Sequence, residues 1–247
     1  MRWGSNCVLD GVNLTLDPGQ RLVVVGPSGA GKSTILRLLA GLQLPSSGDL
    51  FLHGQRQAYL RLDQENPPDV RLVFQNPALL GSLTVGENVG FLLYRYAALS
   101  EQEIRHRVSE ALEAVGLSGI EQLLPGELSG GMQKRVSFAR ALIAAPQLDD
   151  SQMPLLLFDE PTAGLDPVAC TRIEDLIVRT TEVAKASSVV VSHVHSTIER
   201  TGQQVVLLYD GKFRWGGDLE AYRHSDNPYV LQFRNGNLRG PMQPAEA

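Results

Sequence analysis

The fold of this 247-residue chain is decided by nine consecutive residues, Gly26-Pro27-Ser28-Gly29-Ala30-Gly31-Lys32-Ser33-Thr34. They read G-x-x-x-x-G-K-S, which is the pattern of a P-loop. The apolar run at residues 22–25 predicts a buried strand before the loop, and apolar residues at helical spacing from Ile35 to Leu42 predict a helix after it. Strand, loop and helix in this order are the setting that the motif needs to bind phosphate.

The residues of this loop suit a nucleoside triphosphate. Glycines let the backbone curl around phosphate oxygens where a Cβ would crowd them, and the following helix directs free N–H groups and its positive dipole end to the same place. Lys32 can reach the β- and γ-phosphates, and the Ser33 hydroxyl can ligate Mg²⁺. The alternative is a glycine-rich turn that only ends a strand, and the complete motif in its expected setting argues against it. We therefore predict a site for a nucleoside triphosphate.

Charge, cysteine content and apolar runs argue against a nucleic-acid-binding, disulfide-bonded or membrane-spanning chain. The net charge of -5 provides no basic field for a nucleic-acid backbone, so we expect no nucleic-acid partner. Cys7 and Cys170 lie far apart without metal-like spacing and are expected to be reduced thiols. No charged and apolar leader opens the chain, and its apolar runs are too short to span a bilayer. Any membrane-spanning part is therefore expected in another chain.

Strands and helices are predicted to alternate along the chain. The alternating residues Val12, Leu14 and Leu16 predict a half-buried strand that turns into the P-loop strand. Residues 55–69 and 147–153 are polar and are predicted to be loops. Further strands are predicted at residues 50–52, 71–74, 155–158 and 188–191, with a hairpin at 205–209 and 213–215. This order predicts an α/β fold with a mostly parallel sheet and an antiparallel portion.

The segment between residues 83 and 145 is predicted to be helical, with a small core of its own. Ser100 and Glu103 form a capping box before an apolar stripe. Asp166 as an N-cap, followed by Pro167 at the first helical position, predicts the start of a later helix. We predict a main domain, this helical subdomain within it, and a C-terminal tail with a frayed end, at residues 1–224, about 83–145 and 225–247.

Two acidic residues follow the predicted strand at residues 155–158. Asp159 and Glu160 form a Walker B arrangement, in which Asp159 holds the Mg²⁺ shell and Glu160 polarises the attacking water. The alternative is an acidic turn at a strand end. The four apolar residues before the pair and the P-loop upstream favour the catalytic interpretation.

A second phosphate-binding surface is predicted at Ser129, Gly130 and Gly131. Ser129 is a natural N-cap, and the two glycines leave backbone N–H groups bare at the start of a helix. The alternative is an ordinary capped helix, and the spacing of the residues argues against it.

In this order the motifs resemble those of the nucleotide-binding domain of an ABC transporter. The resemblance covers almost the whole chain and rests on residues 26–34, Gln75, residues 128–132, residues 159–161, residues 163–166 and His193. It implies the ABC ATPase fold and an ATPase that binds ATP and Mg²⁺. It also implies catalytic roles for Glu160, His193 and Gln75, with His193 contacting the γ-phosphate. Gln75 would contact Mg²⁺ and the water, and Ser33 and Asp159 would complete the metal site.

The resemblance further implies that two copies of the chain share each ATP. Ser129, Gly130 and Gly131 would close over the γ-phosphate held by the opposite subunit, and Asp166 would lie in a loop that crosses the dimer seam. Trp3 stands where the family places an aromatic side chain that stacks on adenine. The chain begins without the strand that usually precedes this aromatic, and the alternative is a frayed terminal residue.

Several features resemble one branch of the family, the ATPase subunits of Mla/Mce-type lipid transporters. Met132 stands where many relatives have glutamine, the loop at residues 147–153 is long, and the tail contains a distinctive run at residues 225–233. The long loop resembles that of the cyanobacterial and chloroplast members. The resemblance implies a membrane permease, docked on the helical insert and on the segment from Gln75 to Asn88, and an Mce-domain lipid-binding protein. It implies a location on the cytoplasmic face of an inner or plasma membrane.

Three other functions are weighed against lipid transport. An importer ATPase for amino acids or another small solute would not need the tail. A soluble ABC protein acting on ribosomes or DNA would carry a second such domain or a long coiled coil, and no sustained heptads occur. A non-catalytic regulatory subunit would not need intact Lys32, Asp159, Glu160 and His193.

Overall fold

The computed structural model describes residues 1–65, 67–96, 99–143 and 153–243. The strands among these residues are β1 Arg2–Trp3, β2 Asn6–Cys7, β3 Arg21–Val25, β4 Phe51–Leu52, β5 Gln55–Arg56, β6 Val70–Val73, β7 Leu155–Asp159, β8 Ser187–Val191, β9 Gln204–Tyr209 and β10 Lys212–Asp218. Six of them form the main sheet, in the order β10-β9-β3-β8-β7-β6. Its neighbours pair in parallel except for the hairpin of β9 and β10. The predicted mostly parallel sheet with an antiparallel portion is confirmed.

Helices connect the strands of the main sheet in sequence order, except in the hairpin of β9 and β10. They are α1 Lys32–Leu39, α2 Val85–Tyr96, α3 Glu101–Ala114, α4 Gly130–Leu142, α5 Pro167–Val183, α6 His195–Thr201, α7 Leu219–His224 and α8 Pro228–Asn235. The predicted caps are present. The Ser100 hydroxyl accepts from the N–H of Glu103, whose carboxylate accepts from the N–H of Ser100, and Asp166 accepts from two N–H groups of α5. None of the described helices has the length and apolar character needed to cross a bilayer.

Both faces of the main sheet are buried. On β3, Val23 and Val25 point into one apolar cluster, while Leu22 and Val24 point into a second cluster on the other side. Alternate side chains of a strand face opposite sides of the sheet, so helices must cover both sides. A continuous apolar run in a parallel strand is the sequence feature that predicts this arrangement.

The helical segment of α2, α3 and α4 does not keep a core of its own, contrary to the prediction. Its buried side chains belong to the same apolar cluster as Val23 of the sheet. Phe138 of α4 stacks on Phe158 of β7, with ring centroids 5.3 Å apart. The apolar stripe of α4 therefore packs directly on the strand that carries the predicted Walker B residues.

The predicted strand at residues 12–16 is wrong, although its burial pattern is right. Val12, Leu14 and Leu16 are half-buried against the second apolar cluster, and the residues between them are exposed. No strand of the described chain pairs with this segment. Alternation reports which side chains face the core, but a strand also needs a neighbouring backbone at hydrogen-bonding distance.

Three smaller differences concern the segment between α1 and α2. The strand predicted at residues 50–52 is shorter, and β4 pairs with β5 in a separate hairpin. The predicted loop at 55–69 contains β5 and a 3₁₀ turn, Arg61–Asp63. The strand β6 ends at Val73, so Phe74 is exposed beyond the sheet. The predicted loop at 147–153 lies, apart from Met153, outside the described residues.

The C-terminal tail folds back onto the domain, and the predicted frayed end is held in place as far as residue 243. The Gln232 side chain of α8 donates to the carbonyl oxygen of Met242 at 2.7 Å and accepts from its N–H at 2.7 Å. Tyr229 lies against Tyr209 of β9, with ring centroids 5.8 Å apart. The described tail, up to residue 243, is therefore packed on the edge hairpin of the main sheet.

Candidate functional site

The P-loop joins the end of β3 to the start of α1. Gly26 and Gly31 have φ angles of 152° and 101°, values that L side chains rarely adopt. A Cβ on Gly26 would lie 2.1 Å from the backbone oxygen of Leu208 on β9, and one on Gly31 would lie 3.0 Å from Leu9. Glycine at these positions is therefore required by the packing of the loop, in addition to any need for room around phosphate.

Lys32 is the first residue of α1, and its side chain lies back across the loop. Its Nζ donates to the carbonyl oxygens of Gly26 and Pro27, at 2.8 and 2.9 Å. It also lies 3.7 Å from the Glu160 carboxylate. The residue is 7% exposed, and this burial lowers the pKa of the ammonium, against the attraction of Glu160 and Asp159. The loop therefore holds a buried positive charge at its centre.

Ser33 contacts the predicted Walker B aspartate. Its Oγ donates to Oδ1 of Asp159 at 3.0 Å. Burial raises the pKa of the Asp159 carboxyl, and the hydrogen bond from Ser33 opposes that effect. A hydroxyl and a carboxylate meeting at one point are oxygen donors of the kind that Mg²⁺ prefers. The donor chemistry of this pair fits the metal that the sequence predicts.

Glu160 lies between two nitrogen-bearing side chains. Its carboxylate is 3.0 Å from Nδ1 of His193 and 3.7 Å from Nζ of Lys32. The Glu160 side chain is 12% exposed, whereas that of His193 is 58% exposed. Glu160 also has a φ of 43°, a conformation that is uncommon for residues other than glycine and that clusters at functional sites. The Glu160 carboxylate is thus mostly buried, and the residue has a strained backbone.

Parallel register explains why these residues meet. Val24 of β3 and Asp159 of β7 both pair with Val191 of β8, which lies between them. The three strands run in the same direction, so Gly26, Glu160 and His193 all emerge at one edge of the sheet. Residues that are far apart in sequence are therefore brought to one place by the strand order.

Lys32, Glu160 and His193 form what we call the Lys32 cluster, and Gln75 lies outside it. It follows β6, the strand at the sheet edge, two residues beyond Val73, whose partner in register is Phe158. Its side chain is exposed, and the hydrogen bonds of the described residues include none from Gln75 to Ser33 or Asp159. The structure places it beside the cluster, one strand outward from Glu160.

Ser129, Gly130 and Gly131 form the start of α4, away from the P-loop. Ser129 accepts from the N–H of Met132 at 3.2 Å, which confirms the predicted N-cap. Ser129 and Gly130 are exposed, Gly131 is half-buried, and a Cβ on either glycine would meet open space. Among the described residues, no hydrogen bond or ion pair joins them to residues 26–34. Within one chain, the two predicted phosphate-binding surfaces therefore make no polar contact with each other among these residues.

Asp166 and Trp3 are also separate from the Lys32 cluster. Asp166 uses its carboxylate to cap α5, accepting from Val168 and Ala169. Trp3 lies in the hairpin of β1 and β2 and is 50% exposed. This hairpin is tied down, since the amino group of Met1 donates to the carbonyl oxygen of Leu9 at 2.6 Å. Trp3 thus presents an aromatic face to solvent.

Sequence reasoning missed Lys134 of α4. Its Nζ is buried and donates to the carbonyl oxygens of Pro161 and Ala163, in the loop that follows Glu160. Its position four residues before Phe138 places it on the buried face of α4. A lysine at helical spacing within an apolar stripe is the signal that could have identified it.

Comparison with known families identifies the fold. The ABC transporter family matches residues 9–163. A solved dimeric structure of the ATP-binding cassette MJ0796, in a post-hydrolysis state with ADP and Pi, superposes with a TM-score of 0.73 at 32% identity. The superposition covers 86% of this chain and 90% of that one. The predicted ABC ATPase fold is confirmed.

Curated relatives come from several transport systems. The chain is 46% identical to protein TRIGALACTOSYLDIACYLGLYCEROL 3, chloroplastic, of Arabidopsis thaliana, over 98% of this chain and 73% of that protein. It is 37% identical to the Fe(3+) ions import ATP-binding protein FbpC of Escherichia coli O157:H7, over 94% of this chain and 64% of that protein. It is 34% identical to the intermembrane phospholipid transport system ATP-binding protein MlaF of Haemophilus influenzae, over 97% and 89%.

Proposed function

This chain belongs to the ABC transporter family, and we propose that it is the ATP-hydrolysing subunit of a lipid transporter that works as a pair of identical copies. The observation that carries this proposal is the separation of two complementary half-sites. One edge of the sheet gathers Lys32, Glu160 and His193, while the cap at Ser129 faces solvent and has no hydrogen bond or ion pair to them in the described part of the chain. A single chain therefore holds both halves of a site, but not together. In a pair of copies arranged head to tail, the Lys32 side of each copy would face the Ser129 side of the other. The pair would therefore contain two complete sites.

The chemistry follows from the groups around Glu160. We assign Glu160 as the general base, which takes a proton from the water that attacks the γ-phosphorus. The bond from that phosphorus to the β,γ-bridging oxygen breaks, and ADP and phosphate leave. Lys32 and His193 donate to the phosphate oxygens as charge gathers there, and Gln75 orients the water. Ser33, Asp159 and Gln75 would hold Mg²⁺, which would supply positive charge beside the phosphates.

Three further residues serve nucleotide binding in this proposal. Trp3 stacks its exposed ring on adenine, and the N–H groups behind Ser129 donate to the γ-phosphate of the opposite copy. Asp166 lies in the loop that crosses the seam between copies. ATP binding closes the pair, and hydrolysis allows it to reopen.

Lipid is the proposed cargo because two relatives point to it. MlaF is described as part of an intermembrane phospholipid transport system. The chloroplast relative is named after a lipid, trigalactosyldiacylglycerol, and is 46% identical to this chain. We propose that a membrane permease docks on the helical segment and on the residues from Gln75 to Asn88, at the cytoplasmic face of a membrane. An Mce-domain protein would present the lipid.

A small-solute importer is the second candidate. FbpC is described as acting in iron import, and its similarity to this chain exceeds that of MlaF. The nucleotide site does not distinguish the two cargoes, because its residues contact only ATP. The higher identity with the chloroplast relative favours lipid.

Substitution of Ser129 tests the shared site. We expect Ser129→Arg to leave ATP binding by the single chain unchanged, because Ser129 lies apart from Lys32. Hydrolysis should fall by about 100-fold or more, since a bulky cation at the seam displaces the phosphate-binding groups. Equilibrium dialysis with labelled ATP and a phosphate-release assay would measure the two quantities.

The matched control is Ser100→Arg. It removes the cap of α3, which is similar in kind to the cap of α4, so its cost of about 1 kcal/mol should be comparable. It should keep most of the hydrolysis rate. Full activity in Ser129→Arg would rule out the shared site.

Recovery of partners from cells tests the cargo. A tagged copy of the chain, purified in mild detergent, should bring down a permease and an Mce-domain protein, with phospholipid or glycolipid in the lipid extract. Mass spectrometry would identify both. Recovery with a permease for amino acids or iron would end the lipid proposal while leaving the ATPase assignment intact.

A further inference from the structure

The loop between Glu160 and α5 is held by side chains of neighbouring helices. We call residues 161–166 the seam loop. The thiol of Cys170, on α5, donates to the carbonyl oxygens of Thr162 and Leu165, each at 3.6 Å. The Thr162 hydroxyl lies 3.0 Å from that of Thr197 on α6. The loop is therefore positioned by contacts from two elements of the main domain.

A third element, α4, contributes a buried ammonium. Nζ of Lys134 donates to the carbonyl oxygen of Ala163 at 2.8 Å and to that of Pro161 at 3.1 Å. Lys134 is 9% exposed, and burial lowers the pKa of its ammonium. A buried charge is costly unless hydrogen bonds compensate it. The two carbonyl oxygens supply that compensation, so Lys134 joins the loop to the helix.

We propose that Lys134 is a positioning residue that makes the seam loop move together with the start of α4. The inference rests on the proposed function, in which Ser129 and Asp166 both face the opposite copy. Ser129 lies just over one turn before Lys134 on the same helix. A shift of α4 on meeting the partner's ATP would be passed through Lys134 to the loop that ends at Asp166.

The neighbouring residue Arg135 provides a matched control. Its Nη1 donates to the carbonyl oxygens of Gly116 at 3.0 Å and Val115 at 3.5 Å, at the end of α3. It is thus a cationic side chain on the same helix that also bonds two carbonyl oxygens, but away from the seam loop. Lys134→Met and Arg135→Met remove the same kind of contact from two different places.

Cys170 is a native reporter of the seam loop. It is buried while Cys7, the other cysteine, is exposed, and burial raises the pKa of its thiol. In a Cys7→Ser background, we expect Lys134→Met to raise the rate of Cys170 modification by Ellman's reagent by about tenfold. Arg135→Met should change that rate by no more than about twofold. Equal rates in Lys134→Met and the parent would overturn the proposal.

Kinetics then separate positioning from a merely structural contact. We expect Lys134→Met to lower kcat by about tenfold, with the affinity of the single chain for a non-hydrolysable ATP analogue unchanged. A loss of kcat only in proportion to the loss of folded protein, measured by circular dichroism, would contradict it. If Lys134→Met does not fold, Lys134→Gln would be used in both assays. Its amide still donates to the carbonyl oxygens, so we expect smaller effects of the same sign.

The thiol measurement needs neither ATP nor a second copy. It therefore judges the contact between Lys134 and the seam loop even if the shared site is disproved by full activity in Ser129→Arg. Altered thiol reactivity with a normal kcat would overturn the positioning role and leave the proposed function standing.

Discussion

Glu160→Gln should lower the rate of ATP hydrolysis by about 10²- to 10⁴-fold, the usual contribution of a general base. ATP binding should persist, because Lys32 and the loop around it are unchanged. Glutamine matches glutamate in shape and backbone preference, so the change does not add to the strain of a φ of 43°. It removes only the charge that accepts the proton from water.

The same variant should trap a closed pair of chains in ATP. Phosphate release under saturating ATP and gel filtration with and without ATP would measure the two effects. Glu113→Gln, at an exposed position of α3, is the control and should behave as the parent. Hydrolysis at the parent rate in Glu160→Gln would mean that another group is the base.

Lys32→Ala should weaken ATP binding by about 10- to 100-fold, the value of one hydrogen bond to a charged group. The variant loses the buried ammonium that lies 3.7 Å from Glu160 and next to the backbone oxygens of Gly26 and Pro27. It also leaves the Glu160 carboxylate without a nearby cation on that side. Isothermal titration with ATP would measure the change.

Lys212→Ala serves as the control for Lys32→Ala. Lys212 forms an ion pair with Asp10 at 3.1 Å on the half-exposed surface of the edge hairpin, where such pairs contribute little. Its ATP affinity should match that of the parent. Unchanged affinity in Lys32→Ala would contradict the assignment of residues 26–34 as the phosphate-binding loop.

Local features of the fold were predictable from the sequence. The strand, loop and helix around Lys32 were found because the loop motif and its apolar flanks are contiguous. The caps at Ser100 and Ser129 were found because a capping side chain bonds backbone only two or three residues away. In these cases the sequence contains both partners of the interaction within a few residues.

Predictions of the fold were wrong where a residue's contact partner lies far away in the sequence. Alternation at Val12, Leu14 and Leu16 reported burial correctly, but not whether another strand lies beside the segment. The core of the helical segment could not be assigned alone, because Phe138 finds Phe158 only when α4 lies on the sheet. The end of the tail was expected to fray, yet Gln232 holds Met242 within the tail, and Tyr229 packs on Tyr209 of the main sheet.

The candidate site also has features that the local sequence predicts and features that only distant contacts decide. By itself, the sequence determined the fold family and which residues are chemically suited to ATP, because motif order and residue type are local properties. Only the tertiary structure brought His193 to 3.0 Å from Glu160 and exposed Ser129 to solvent, where its side chain caps α4. Those relations depend on parallel register and on helix packing between segments far apart in the chain, which no short stretch of sequence contains.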